Sequence, residues 1–259
     1  MNPSIEIHVD PLNPGQFFAC CGLLELADRL WPGTEAAFAQ NDCRFHLFGT
    51  GTLPELIRSI ATAELEHCDP TDVTSSPIAI GAPFRRLRID WWEHPVLEAR
   101  DLKVWAGTME SYGIAASLQA ALRSEQFHGP NLLDVGMVVA NSDDPSKKKE
   151  PYYYDARRAP NAHSRDTGFS ANDLGLNSIA HPAVELLCLI GLQVARPERQ
   201  SRTRMYDYRT WTVPIPTNLL LAASSGAVSG LGGNAYRFEN WFRTGQKKHK
   251  AFRSAMRLA

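Results

Sequence analysis

Apolar and polar residues alternate through Ile5, Glu6, Ile7, His8 and Val9, the period-two pattern of a strand with one buried face. The period then changes to that of a helix. Phe17, Cys20, Cys21, Leu24, Ala27 and Trp31 recur at helical spacing, Asn13 suits the N-cap, and Pro14 suits the first helical position. Glu25 and Arg29 are expected to pair four residues apart on the wet side, and Pro32 and Gly33 to stop the helix. Gly22 lies inside this helix, where it costs about 1 kcal/mol relative to Ala, so a neighbouring backbone is expected to pass close to it.

Further on, the patterning predicts a strand at Cys43–Phe48, a helix at Leu53–Ala63 and a strand at Phe84–Trp92 with Leu87, Ile89 and Trp91 on one face. It then predicts a helix at Trp105–Leu122, a short strand at Val135–Ala140, a polar loop at Asn141–Glu150, and a strand at Tyr152–Asp155 leading into a long connection, Ala156–Asn177. His181–Val194 reads as a helix that ends before Arg196 and Pro197. A strand at Thr210–Ile215, a helix at Thr217–Ser224, a glycine-rich turn at Gly226–Gly233, a short strand or turn at Tyr236–Phe238 and a basic final helix complete the reading. Strands and helices mix without regular βαβ alternation, so the expected fold class is α+β and not a regular doubly wound sheet.

Charge divides this pattern. Residues 1–100 hold 14 Asp and Glu against 7 Lys and Arg, whereas residues 101–259 hold 14 against 20, although the whole chain of 259 residues carries a formal net charge of only −1. An acidic N-terminal α/β part over 1–140, suited to docking on a neighbouring subunit, and a basic C-terminal part over 141–259, suited to a polyanion, are the expected organisation; one continuous domain is the other. No run approaches the roughly 20 apolar residues of a membrane helix, and the first ten residues lack the pattern of a signal peptide, so a cytoplasmic protein without membrane contact is expected. Five cysteines (Cys20, Cys21, Cys43, Cys68 and Cys188) form no CxxC pair and read as reduced thiols.

Motifs for catalysis are sparse. The chain has no GxxxxGK[ST] loop, no HExxH and no GxSxG; Gly168–Asn172 is only superficially like the last. Cys43 and His46 would point to opposite faces of a strand, so no metal or other cofactor is expected. Basic and aromatic residues carry more information. Tyr152, Tyr153 and Tyr154 precede Arg157, Arg158, His163 and Arg165 in an irregular segment, and Lys147, Lys148 and Lys149 lie just upstream. Guanidinium groups fork onto phosphate oxygens and tyrosine rings stack on unpaired bases, which suits a single-stranded nucleic acid. The competing reading pairs Arg157 or Arg158 with Asp155, and Arg165 with Asp166 or Asp173, as an internal ion network. Arg202, Arg204 and Arg209, interleaved with Tyr206, Tyr208 and Trp211, and then Lys247, Lys248, Lys250 and Arg253 extend the candidate contacts; Lys250, Arg253 and Arg257 would share one face of the final helix.

Two passages carry a family resemblance. DPLNPGQFFACCGLLELADRLWPG (Asp10 to Gly33) resembles the N-terminal motif of a CRISPR-associated effector-complex (Cascade) protein family of type I-U, also called I-G, systems. YYDARRAPNAHSRDTGFSANDLGL (Tyr153 to Leu176), HPAVELLCLIGLQVARP (His181 to Pro197) and RFENWFRTGQKKHKAF (Arg237 to Phe252) resemble its later blocks. The resemblance implies a non-catalytic subunit of an RNA-guided surveillance complex, with guide RNA, target DNA and other complex subunits as partners, and supplies no catalytic residue. Two rivals stand beside it: a metal-independent guide-processing ribonuclease using His163 as general acid or base, and a small-molecule enzyme without a recognisable motif.

Overall fold

The hydrophobic pattern of the long helices is continuous rather than one-sided, and the computed structural model shows why. It describes residues 2–93, 99–161, 179–201, 203–243 and 248–259. Helix α1 (Pro14–Leu30) is buried on every side from Pro14 to Ala27, with Asn13 as its N-cap. Helices α2 (Leu53–Thr62) and α3 (Ser111–Ala121) are shorter; α4 (Pro182–Val194) is buried from Pro182 to Leu192, and α5 (Leu220–Ser225) is a brief turn. α1 and α4 cross at their glycines. A Cβ on Gly22 would stand 2.2 Å from the Leu187 carbonyl oxygen, and one on Gly191 would stand 1.9 Å from that of Phe18, so the backbone contact expected at Gly22 is present. Glu25 and Arg29 do pair, at 2.6 Å, but Glu25 is buried; Arg29 also donates to the Arg85 and Arg86 carbonyls, so this side of the helix is covered rather than wet.

The described residues also form three antiparallel sheets, and the fold is mixed α+β, with no doubly wound parallel sheet among those residues. The first has the order β1 (Ile5–His8), β3 (Arg44–Phe48), β2 (Glu35–Phe38), β9 (Ile215–Pro216). Its register sets Ile5 against Leu47 and Ile7 against Phe45 on the buried face. A three-stranded sheet joins β4 (Leu65–His67), β5 (Ile78–Ile80) and β6 (Leu87–Ile89). The last joins β11 (Lys250–Phe252), β10 (Ala235–Phe242), β8 (Met205–Arg209) and β7 (Glu198–Arg199), with β12 (Met256–Arg257) also paired to β10. Trp211 ties the first sheet to the last: its indole N–H donates to the Ala36 carbonyl, and its own carbonyl accepts from the Phe38 N–H. One contiguous apolar core runs from Ile5 to Ala255, so residues before and after 140 pack into the same interior.

Several elements differ from the sequence reading. The final basic segment is not a helix: Lys250–Phe252 and Met256–Arg257 are strands on the edge of β10, where Ala251 and Phe252, adjacent in sequence, are both buried. A long partner strand overrode a helical spacing of charges. The strand expected at Thr210–Ile215 lies earlier, at Met205–Arg209, and that expected at Tyr236–Phe238 runs on to Phe242. Helix α3 begins at Ser111, and Trp105 instead packs edge-on against Trp92. Val135–Ala140 makes only isolated bridges, Met137 to Ala180 and Ala140 to Lys148. Strand β2 was not anticipated. Among the described residues no helix is long and apolar enough to cross a membrane.

Candidate nucleic-acid interface

The segment after Glu150 is held from behind by a buried carboxylate. Glu185, in the first turn of α4, accepts from the Tyr153 and Tyr154 N–H groups at 2.9 and 3.0 Å and from the Asp155 N–H at 3.2 Å. These donors are spent on a side chain, and Tyr153 adopts φ +82°, so Tyr152–Asp155 is not the expected strand. Burial pushes the Glu185 carboxyl up to about 7; the backbone donors at Tyr154 and Asp155 pull it down and the Asp155 charge adds to the rise. Asp155 is fully buried, and burial alone would raise its pKa. Contacts to His181 and Arg157 outweigh that and hold it well below the usual carboxylate range.

Asp155 also accepts from the Asn13 amide at 2.7 Å, while Asn13 Oδ1 takes the Gly15 and Ala156 N–H groups. His181 Nδ1 lies 2.6 Å from Asp155 Oδ2. Arg157 donates through Nε to Asp155 at 3.0 Å and through Nη1 to Asp134 at 2.8 Å. This is the Arg157–Asp155 part of the competing reading, joined by His181, Asn13 and Asp134; its Arg165 part lies outside the described residues. Arg158 reaches Glu150 at 3.1 Å and the Ile179 carbonyl.

The tyrosines do not offer rings to bases. Tyr152 and Tyr154 are core residues, and Tyr153, 8% exposed, has its ring beneath Arg158 and Arg243, whose guanidinium carbons lie 4.6 and 3.5 Å from its centroid. Tyr206, Tyr208 and Trp211, interleaved with arginines in the sequence, are buried as well. Lys149 pairs with Glu110 at 3.0 Å; Lys147, largely exposed, pairs with Asp144 at 2.9 Å; Lys148 is exposed beside them. Half-buried Lys250 donates to the Asp101 carbonyl, and burial lowers its pKa. Cys43 is exposed and His46 pairs with Glu6, and no metal-binding group of three or more His, Cys, Asp or Glu exists among the described residues. His163, Arg165, Arg202 and Lys247 lie outside the described residues, as do Asp166, Asp173 and Gly168–Asn172.

Arg204 and Arg253 are brought together, while Arg209 stands at the opposite end of β8. Strands β8 and β10 alternate buried and outward positions, so Tyr206, Tyr208, Tyr236 and Phe238 fill the core while Asp207, Arg209, Arg237, Glu239 and Trp241 stand on the outer face. Arg204 and Arg253 meet there at Glu239, at 3.3 and 3.2 Å, and Arg253 covers the half-buried Trp241 ring at 4.3 Å. Arg237 forks onto Asp207 with two bonds of 2.7 Å. Four arginines therefore share a face with two carboxylates. A cleft of about 400 Å³ opens at its Arg204 end, lined by Arg199, Thr203, Arg204, Met205 and Glu239. Past Trp241, Ala251 is buried under Tyr153 and Ala159, so the segment after Glu150 adjoins this face. Trp241 was missed because the strand was read as three residues long, whereas its period-two pattern, Tyr236, Phe238 and Asn240 inward, continues to Trp241; Arg237 lay inside the strand as read but was not singled out.

No protein-family model, curated protein or solved structure matches this chain.

Proposed function

We propose that this chain is a non-catalytic subunit of a type I CRISPR RNA-guided surveillance complex in the cytoplasm, holding guide RNA, target DNA or both on the outer face of β8 and β10. The observation that carries the reading is the four-arginine surface with Trp241 at one end: guanidinium forks suit phosphate oxygens, and an aromatic ring at the end of a basic track suits an unpaired base. The resemblance of Asp10–Gly33 and of the later blocks to type I-U effector proteins supports the same assignment. In such a complex base pairing reads sequence and the protein grips backbone, which needs this kind of surface and no catalytic group. The acidic residues before 100 then suit docking on a neighbouring subunit.

Binding of a labelled single-stranded RNA or DNA, followed by anisotropy across a salt series, tests it. Contact with four phosphates predicts a slope of log affinity against log salt of roughly −3. Arg204→Gln with Arg253→Gln should weaken binding and flatten that slope with the fold intact. A wild-type chain that binds no strand, alone or in its complex, overturns the reading.

A further inference from the structure

Arginines on the two sides of β10 bring their side chains to one carboxylate. The Arg204 carbonyl accepts from the Asn240 N–H on the β8 side at 3.0 Å, and the Arg253 N–H donates to the Glu239 carbonyl on the β11 and β12 side, also at 3.0 Å. The main chain therefore fixes both arginines at the same two residues of β10. Their guanidinium groups then close on the Glu239 side chain, Arg204 through Nη2 to Oε1 at 3.3 Å and Arg253 through Nη1 to Oε2 at 3.2 Å. Each also lies over a ring, Arg204 over Phe242 at 4.6 Å and Arg253 over Trp241 at 4.3 Å.

Which of the three side chains is outermost decides what the acid does. Arg204 and Arg253 are 45% and 49% exposed and Glu239 only 26%, so the carboxylate is more covered than the two cations it joins. A guanidinium has five N–H donors. Among the described residues the Arg204 and Arg253 side chains each give one hydrogen bond, to Glu239. Arg237 is different, because Asp207 takes both its Nε and its Nη2 in a closed fork at 2.7 Å. Glu239 thus orders two cations without consuming most of their donors, and a single carboxylate leaves the pair with a net positive charge. The cleft of about 400 Å³ beside Arg204 and Glu239 gives an anion room to approach.

We propose that Glu239 is a positioning residue, and that the Arg204 and Arg253 guanidinium groups it holds together bind two neighbouring phosphates of the strand on the β8 and β10 face. That the phosphates belong to a nucleic-acid strand rests on the function proposed above; that the pair binds phosphate does not. The alternative role for the acid is that of a competitor, holding the place a phosphate would take. The two roles differ in sign. Removing a competitor tightens binding. Removing a positioning residue makes the face more positive, a gain that salt screens at an exposed site, but leaves two long side chains for the ligand to order, each at a loss of about five-fold in affinity.

The test compares the full wild-type chain with Glu239→Gln and Glu239→Ala, which share one charge but differ in whether an acceptor remains for the arginines. In the first arm inorganic pyrophosphate, two linked phosphates, is titrated while the arginine Nε–H resonances are followed by NMR, with Arg204→Gln and Arg253→Gln used to assign them. Both signals should shift and saturate in the wild type, with half-saturation at least about five-fold higher in Glu239→Ala. Absent shifts, or half-saturation in Glu239→Ala at or below the wild-type value, overturn the proposal. In the second arm, the strand-binding salt series, affinity should fall from wild type to Glu239→Gln to Glu239→Ala, and the slope should flatten by up to about 1.4 in the last as two phosphate contacts weaken. Equal binding by the two variants, or tighter binding by either than by the wild type, makes Glu239 a competitor or a bystander and overturns the positioning role. Circular-dichroism melting establishes that each variant is folded, and Glu239→Gln against the wild type carries both arms if Glu239→Ala is not. Pyrophosphate shifts of the expected order without any strand binding would keep the arginine pair and sink the function proposed above, whereas strand binding indifferent to Glu239 would do the reverse.

Discussion

Glu185 gives the structure a measurable pH dependence. Its carboxyl is fully buried and rises from an ordinary 4.5 to about 7, so between those values the folded chain keeps a proton that the unfolded chain has released. A raised folded-state pKa on an acid means that stability is greatest below the unfolded value. It is lost as pH rises toward the folded value and is level above it. With 1.36 kcal/mol per pKa unit, the loss between pH 4.5 and pH 8 comes to about 3 kcal/mol. Asp155, held ionised in both states over that range, adds nothing to the slope.

Glu185→Gln removes the titration. The glutamine oxygen can still accept from two of the three N–H groups, while its NH2 faces the third and costs about 1–3 kcal/mol at every pH. The offset and the slope are therefore separable. Urea unfolding followed by tryptophan fluorescence suits the measurement, because Trp91, Trp92, Trp105 and Trp211 are all fully buried. The variant is expected to lose stability at pH 4.5 and to gain about 3 kcal/mol on the wild type by pH 8. Groups that titrate alike in both proteins cancel in that difference. Parallel stability curves for the two proteins would refute the buried protonated carboxyl.

Two further outcomes follow from named contacts. Gly22→Ala and Gly191→Ala each gain about 1 kcal/mol of helix propensity, but each drives a methyl group to within 2.2 or 1.9 Å of a backbone oxygen; overpacking of about 1–3 kcal/mol or more should win, and a variant melting at or above the wild-type temperature would contradict the crossing. Arg157→Ala leaves the buried Asp155 with one guanidinium fewer, so melting should fall by the equivalent of about 3 kcal/mol while strand affinity and its salt slope stay the same; normal melting with weakened binding would instead make Arg157 a phosphate clamp.

The first helix was legible because its determinants are local. Asn13, Pro14, Pro32 and Gly33 mark its ends within the sequence itself, and Gly22 has no local advantage, so a neighbour had to account for it. The C-terminal third was less legible for the opposite reason. Ala251 and Phe252 owe their strand to pairing with Asn240 and Trp241, and β8 owes its register to β10 some thirty residues away. Helical spacing of Lys250, Arg253 and Arg257 is real but is the spacing of charges on an exposed edge, and charges do not select a period unless an apolar face does. Strand β2 escaped notice because Glu35–Phe38 carries almost no polar alternation; three of its four residues are buried.

What an arginine does was the least legible part, because the sequence shows the cation and not the distance to its carboxylate. Arg157 and Arg209 look equivalent along the chain, each in a basic stretch beside tyrosines. In the fold Arg157 is spent on Asp155, two residues away, and on Asp134, whereas Arg209 stands at a strand end and among the described residues has no ion pair. The tyrosines follow the same logic. Burying Tyr152, Tyr154, Tyr206 and Tyr208 aligns the segments that carry Arg157 and Arg209, so the aromatics that made those stretches resemble a stacking platform are what hold the arginines in place. Reading such a stretch therefore needs the acids as well as the arginines: among the described residues Arg199, Arg204, Arg237 and Arg253 of this sheet all pair with acids that lie far from them in sequence, so the carboxylates that decide what each cation can still do are set by the sheet and not by the neighbouring residues.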